Sequence, residues 1–284
     1  MNATTELPQL KVTVGAQYVL RLGDTCLIHA QRLAEWCGHG PVLEEDIALT
    51  NMALDLVGQA RALLTLAGHM ATGPGRAGGA AWDEDQLAFL RREHQFFNLT
   101  LVEQPMRRSS AHAPGGDFAD TVLRNFLLAT WLKQFWQAMS CSDAPTGADS
   151  HSSTLSAIAG KAVKEVRYQQ QHNADWVVRL GDGSEESARR MGAALVRAWP
   201  FVTEMFQHDE VDEAAVALGL GPTRSSLRAG WLAEVAPVLA AAQLQTPPDS
   251  PYASTGSNGR HSEHMGYILA EMQSLQRQFP GGRW

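Results

Sequence analysis

Segments with helical spacing of apolar residues follow one another along the whole chain, and none shows the apolar–polar alternation of a strand. Short breakers rich in Gly and Pro separate them, for example at residues 38–41 and 181–183. Long helices joined by short breaks are typical of an antiparallel bundle. The sequence therefore predicts an all-α fold, an antiparallel helical bundle with extra helices and a C-terminal helical tail.

The breakers and caps divide the chain into three regions. Residues 1–13 are expected to be extended or disordered, residues 14–245 to form the bundle, and residues 246–284 to form a linker and a last helix that packs on the bundle or on a partner. The helix expected over residues 43–70 is apolar on nearly every face, which predicts a central position. The helices are expected near residues 14–37, 43–70, 83–101, 118–139, 152–180, 184–206 with a kink or an interruption at Pro200, 209–218, 223–243 and 263–278.

Composition excludes several classes of function. A net charge of −7 argues against nucleic acid and anionic membranes as main partners. The segment 118–139 is interrupted by charged residues, which favours a buried helix over a membrane span, and no signal peptide is evident. The 3 cysteines form no CxxC pair, so we expect reduced thiols in a cytoplasmic protein. The 8 tryptophans and the 19% share of charged residues lean towards a subunit of a complex.

A bundle of long helices suggests a carboxylate-bridged di-iron centre, which needs Glu from two helices and Glu-x-x-His from two others. Residues three apart share a helix face, so this motif delivers a carboxylate and an imidazole to the same metal pair. The chain has 30 Asp and Glu residues, and none is followed by His at the third position. We therefore expect no metal ligand and no catalytic residue in this chain.

Two polar stripes lie where remnants of such a centre are expected. The first comprises Asn51, Asp55 and Gln59, and the second comprises Lys161, Glu165, Tyr168 and His172. Asp55, Gln59, Glu165 and Tyr168 are predicted to be vestigial positions, where a polar network holds the bundle geometry. A solvent-facing stripe remains an equal alternative for the second set.

Six segments, in order, resemble the PaaC family, the structural subunits of phenylacetyl-CoA epoxidase, a ring 1,2-monooxygenase. They are residues 20–24 (LRLGD), 31–39 (QRLAEWCGH), 54–61 (LDLVGQAR), 101–105 (LVEQP), 164–168 (KEVRY) and 269–273 (LAEMQ), and the resemblance runs from about residue 18 to residue 284. The chain departs from the family pattern in a longer N-terminus and in insertions after Met70 and at residues 106–114.

The resemblance implies a ferritin-like fold and a place in a multicomponent, NADPH-dependent monooxygenase of phenylacetate degradation. In that family the catalytic A subunit holds the di-iron centre and epoxidises the aromatic ring of phenylacetyl-CoA, and a reductase subunit supplies electrons. The C subunit is the related, metal-free partner that pairs with the A subunit and stabilises it. The expected role of this chain is thus structural, with no cofactor of its own.

Amides beside aromatic residues suggest where substrate touches this chain. Gln95, Phe96, Phe97 and Asn98 are the candidates for contact with phenylacetyl-CoA at a subunit junction, and the alternative is core Phe residues with capping amides. His261 and His264 are expected to be polar residues at a helix start.

Two other functions remain open. One is an active di-iron oxygenase with unusual ligands, drawn from Glu35, Asp55, Asp120, Glu165 and His172. The other is a free-standing helical binding protein.

Overall fold

The computed structural model describes residues 12–71, 81–106, 117–140, 150–280 and 282. Across these residues nine α-helices and several short 3-10 turns form, and no strand does, which confirms the all-α prediction. The expected N-terminal extension and most of the insertions after residues 70 and 106 lie outside the described residues. The helices are α1 Val14–Ala34, α2 Leu43–Met70, α3 Glu84–Phe89, α4 Phe118–Ser140, α5 Ser150–Gly181, α6 Glu185–Ala198, α7 Glu210–Ala217, α8 Arg228–Ala241 and α9 Glu263–Gln278.

Side-chain caps define several of the helix starts. The Thr13 side chain accepts a hydrogen bond from the Ala16 N–H at 3.2 Å before α1, and Asp117 accepts from the Ala119 N–H at 2.9 Å before α4. Such caps satisfy N–H groups that have no partner inside the helix. The sequence predicts this N-cap, because Asp117 is a favoured capping residue directly before the apolar run of α4, and the hydrogen bond confirms the prediction.

Two helical hairpins build the bundle. α1 packs along α2 and α4 packs along α5, and the hairpins join where α2 meets α5, as in a ferritin-like four-helix bundle. α6 and α8 cover α4, α7 packs on α1, and α9 packs on α3 and α1. The C-terminal helix thus lies on its own bundle in the isolated chain.

α1 and α4 are the most buried helices, and the Phe126, Trp131, Phe135 and Trp136 side chains of α4 are fully enclosed. The prediction of a central α2 is wrong for the isolated chain, because α2 packs against α1 and α5 on one side and leaves apolar residues exposed on the other. The tryptophans do not by themselves indicate a partner, because most are ordinary core residues. Those buried in this chain are Trp36, Trp131, Trp136, Trp199 and Trp231.

The single helix expected over residues 83–101 is also wrong. Only α3 forms there, and the chain continues through irregular backbone with 3-10 turns at Glu93–Gln95 and Thr100–Glu103. The N–H groups of Phe97, Leu99 and Thr100 donate to side chains of other elements instead of to carbonyls one turn back. These tertiary hydrogen bonds replace the helical ones and override the local preference for a helix.

Further along the chain, α6 ends at Ala198 and two 3-10 turns follow to Phe206, so the interruption expected at Pro200 is confirmed. Pro lacks the N–H that would continue the helical hydrogen bonding. Within the described residues, none of the helices combines the length and the hydropathy that a membrane crossing requires.

Candidate functional site at the centre of the bundle

The centre of the four-helix bundle contains a cavity of about 10 Å³. All four bundle helices contribute side chains to it, and every lining residue is buried. Its walls are formed by His29 and Leu33 of α1, Met52 and Leu56 of α2, Asn125, Leu128, Ala129 and Leu132 of α4, and Gln169 and Asn173 of α5. Ferritin-like bundles build their metal sites from side chains that project inward in this way.

The polar groups around the cavity are amides and one imidazole. Asn173 Nδ2 donates to the Gln169 carbonyl oxygen at 2.6 Å, and Gln169 Nε2 donates to Asp55 Oδ2 at 3.3 Å. The wall contributed by α2 is apolar, through Met52 and Leu56. Among the residues that the structure describes, the lining of the cavity therefore includes no carboxylate.

The His29 imidazole is held neutral. Burial is the main reason why its pKa falls from 6.5 to about 3; the nearby Arg124 cation also lowers the pKa, and the neighbouring Asn125 amide offsets only part of the fall. Removing an imidazolium from water is costly, so the neutral form persists through the physiological range. The imidazole can therefore accept or donate a hydrogen bond, but it brings no charge to the cavity.

These residues do not fit a di-iron centre. Iron pairs of this kind need several carboxylates to bridge them and to offset their charge, and the cavity offers neutral amides and a single imidazole. In the part of the chain that the structure describes, no three His, Cys, Asp or Glu side chains come together as a metal-binding group.

A family model described as "phenylacetic acid catabolic protein" (PaaA_PaaC) matches residues 1–284. The chain belongs to the phenylacetic acid catabolic protein family. A relative from Escherichia coli (strain K12), named as the C subunit of 1,2-phenylacetyl-CoA epoxidase, is 43% identical over 267 residues, which cover 94% of this chain and 98% of that protein. The resemblance seen in the sequence is thereby confirmed.

Within this family member, three of the four predicted vestigial positions meet at the seam between α2 and α5. Gln59 Nε2 donates to Glu165 Oε2 at 3.0 Å, and Asp55 accepts from Gln169. Gln59 Oε1 also accepts a hydrogen bond from the Cys26 thiol of α1, at 3.9 Å. Tyr168 does not join them, because its side chain points outward and is 60% exposed. The contribution of His29, Asn125 and Asn173 to the cavity was not predicted from the sequence, because these residues belong to no ligand motif.

The residues proposed as unusual iron ligands do not converge. Glu35, directly after α1, pairs with Arg32 of that helix, and Asp120 forms a double hydrogen bond with Arg197 at 2.7 Å. His172 Nε2 lies 2.9 Å from Glu45 Oε2 across α2 and α5. Asp55, Glu165 and His172 thus share the seam between α2 and α5, whereas Glu35 and Asp120 have partners elsewhere. Among the described residues, the five therefore do not form one metal-binding group.

The four candidate substrate residues lie in the irregular segment after α3. Phe96 lies beneath the Arg91 guanidinium at 4.0 Å, and Asn98 Nδ2 donates to Glu103 Oε1 at 2.9 Å. Both side chains are fully buried, so in the isolated chain they make structural contacts and are not accessible to a ligand. Gln95 and Phe97 are partly exposed, and substrate contact through them stays a prediction.

The segments that carry the resemblance supply buried anchors between helices and loops. Asp24 pairs with Arg91 in the interior, and Arg32 donates to the Glu103 carbonyl oxygen at 2.9 Å. The Glu103 carboxylate accepts from His261 at 2.7 Å, just before α9 begins. At the far end, Gln273 Nε2 donates to two carbonyls near the end of α3 at 3.0 Å. These motifs therefore fix the loop after α3 and the C-terminal helix onto the bundle.

Proposed function

We propose that this chain is the non-catalytic structural subunit of a phenylacetyl-CoA epoxidase. It pairs with the catalytic A subunit, which holds the di-iron centre and receives electrons from NADPH through a reductase subunit. The observation that carries the proposal is the bundle centre, where amides, a neutral imidazole and apolar side chains stand in place of carboxylate ligands. The relative named as the C subunit of such an epoxidase supports the placement in a complex of this kind.

The exposed face of α2 is the surface that we assign to the catalytic partner. Leu43, Ile47, Leu54 and Val57 recur at helical spacing along it, and Leu43 and Leu54 are 72% and 63% exposed. Tyr168 of α5 is also exposed, one helical turn after Glu165, which accepts a hydrogen bond from Gln59 of α2. Contiguous exposed apolar residues mark interaction sites more often than free surface.

This face also accounts for the sequence of α2, which is apolar on nearly every side although only one side is buried in the isolated chain. A partner that covers the second side would make α2 the central helix of the assembly. The A subunit is the expected partner, because the family model is named for both PaaA and PaaC and related bundles present similar helical surfaces.

The test is co-purification with the A subunit. Leu54→Glu places a charge in the middle of the face and should weaken the pairing by about tenfold or more. Val196→Glu is the matched control, because Val196 is 73% exposed on α6, away from α2. Equal pairing by both variants would refute this face, while helical circular dichroism checks that each variant is folded.

Iron content and turnover decide the role of the chain. Mass spectrometry should find iron in preparations that contain the A subunit and not in preparations of this chain alone. Phenylacetyl-CoA should be epoxidised only when the A subunit and the reductase are present. The structural role would be contradicted if this chain, with the reductase but without the A subunit, contained stoichiometric iron and turned over the substrate. That result would favour the oxygenase with unusual ligands.

A further inference from the structure

The cavity at the bundle centre is lined by more polar atoms than the protein can pair. In the described part of the chain, His29 Nδ1, both amide atoms of Asn125 and Asn173 Oδ1 have no partner in hydrogen-bonding geometry. These three residues come from α1, α4 and α5 and line the same cavity. Buried polar groups in folded proteins are nearly always hydrogen-bonded, and ordered water supplies the missing partner where protein atoms cannot.

The size of the cavity selects the ligand. Its volume of about 10 Å³ matches the roughly 10–15 Å³ that one water molecule needs. We propose that a single ordered water molecule occupies it and bridges His29, Asn125 and Asn173. The water accepts from Asn125 Nδ2 and donates to Asn173 Oδ1, and it exchanges a third hydrogen bond with His29 Nδ1.

The charge around the cavity favours water over a metal ion. His29 is neutral there, the amides carry no net charge, and the Arg124 cation acts on His29 from nearby. A divalent cation would find no carboxylate among the described residues of the lining to offset its charge. A neutral molecule with two donors and two acceptors matches the unpaired atoms, whichever nitrogen of His29 carries the proton.

This water ties together three helices in the core of the bundle, which is where ferritin-like folds build their metal sites. It links the α1–α2 hairpin to the α4–α5 hairpin through the polar atoms that line the cavity. The hydrogen bonds of the water thus contribute to the register between the hairpins. This assignment is independent of the partner of the chain.

The experiment is a crystal structure of the full chain, alone or with its catalytic partner, at a resolution that shows ordered water. A spherical density peak is expected at about 2.7–3.2 Å from His29 Nδ1, an Asn125 amide atom and Asn173 Oδ1, without anomalous signal at the iron edge. Asn125→Leu should abolish the peak, and Asn51→Leu, at an exposed site of α2, should leave it.

Two results overturn the assignment. One is a dry cavity in which the three side chains pair with one another. The other is a peak with iron-edge signal and contacts near about 2.1 Å, which identifies a metal. A dry cavity leaves the structural-subunit proposal intact, whereas bound iron contradicts both. If Asn125→Leu does not fold, the density of the unaltered chain decides alone.

Discussion

Replacing Asp24 by Asn removes a negative charge that lies against a guanidinium in the interior of the protein. Asp24 of α1 and Arg91, which follows α3, are both fully inaccessible to solvent, and Arg91 Nη1 donates to Asp24 Oδ2 at 3.0 Å. The same carboxylate oxygen accepts from the Phe97 N–H at 2.9 Å. The carboxylate therefore fixes both the cation and the irregular backbone that crosses the bundle.

The expected loss of stability follows from what Arg91 keeps after the substitution. Its remaining neighbours are the carbonyl oxygens of Leu87 and Gln95 and the ring of Phe96, none of which carries a full charge. Breaking a buried ion pair on one side costs about 3–5 kcal/mol, because a charge is left in the interior without compensation. That is a large share of the roughly 5–15 kcal/mol by which domains are stable.

Urea unfolding followed by circular dichroism measures this loss as a lower midpoint. The double variant Asp24→Asn with Arg91→Met should recover much of the stability, since the uncompensated cation is then gone. Glu84→Gln is the surface control, because its partner Arg61 is largely exposed and such pairs contribute at most about 1 kcal/mol.

The reasoning fails if Asp24→Asn unfolds at the midpoint of the unaltered chain. It also fails if adding Arg91→Met to the Asp24→Asn variant brings no recovery. In either case the ion pair would not be what holds the segment after α3.

Two further predictions concern a pair of glycines and a histidine. In α2, Gly68→Ala should destabilise the chain by about 1–3 kcal/mol, because a Cβ there would lie 1.9 Å from the Trp82 carbonyl oxygen. Gly58→Ala meets nothing within 4 Å and should stabilise the isolated chain by about 0.4–1 kcal/mol, with thermal unfolding as the measurement and a reversed order as the refuting result. For His261, burial lowers the pKa, but the hydrogen bond and charge of Glu103 outweigh it and leave the pKa raised. The folded state then holds the proton more tightly, so this contribution to stability is complete below pH about 6.5 and is lost as the pH rises through the raised pKa. His261→Asn should flatten that loss in unfolding measurements from acid to alkaline pH, and an unchanged slope would contradict it.

The helical class, the bounds of α2 and α9, the cap at Asp117 and the break at Pro200 followed from the sequence alone. These features depend on residues within about one helical turn, where apolar spacing, caps and missing N–H groups act locally. The absence of Glu-x-x-His is equally local, because the motif lies on one helix face. Family membership also followed from the sequence alone. The short segments that carry the resemblance include the residues that anchor α9 and the loop after α3 to the bundle.

Only the tertiary structure decided which residues share the bundle centre and which face of α2 is left uncovered. Asp24 and Arg91 are 67 residues apart and meet across an irregular segment whose sequence favours a helix. The cavity brings together His29, Asn125 and Asn173 because three helices fold against one another. A single His or Asn in a helix has no neighbouring sequence pattern that predicts such a position. Burial and pairing depend on what the rest of the chain places opposite a residue, and that information is not contained in the residues beside it.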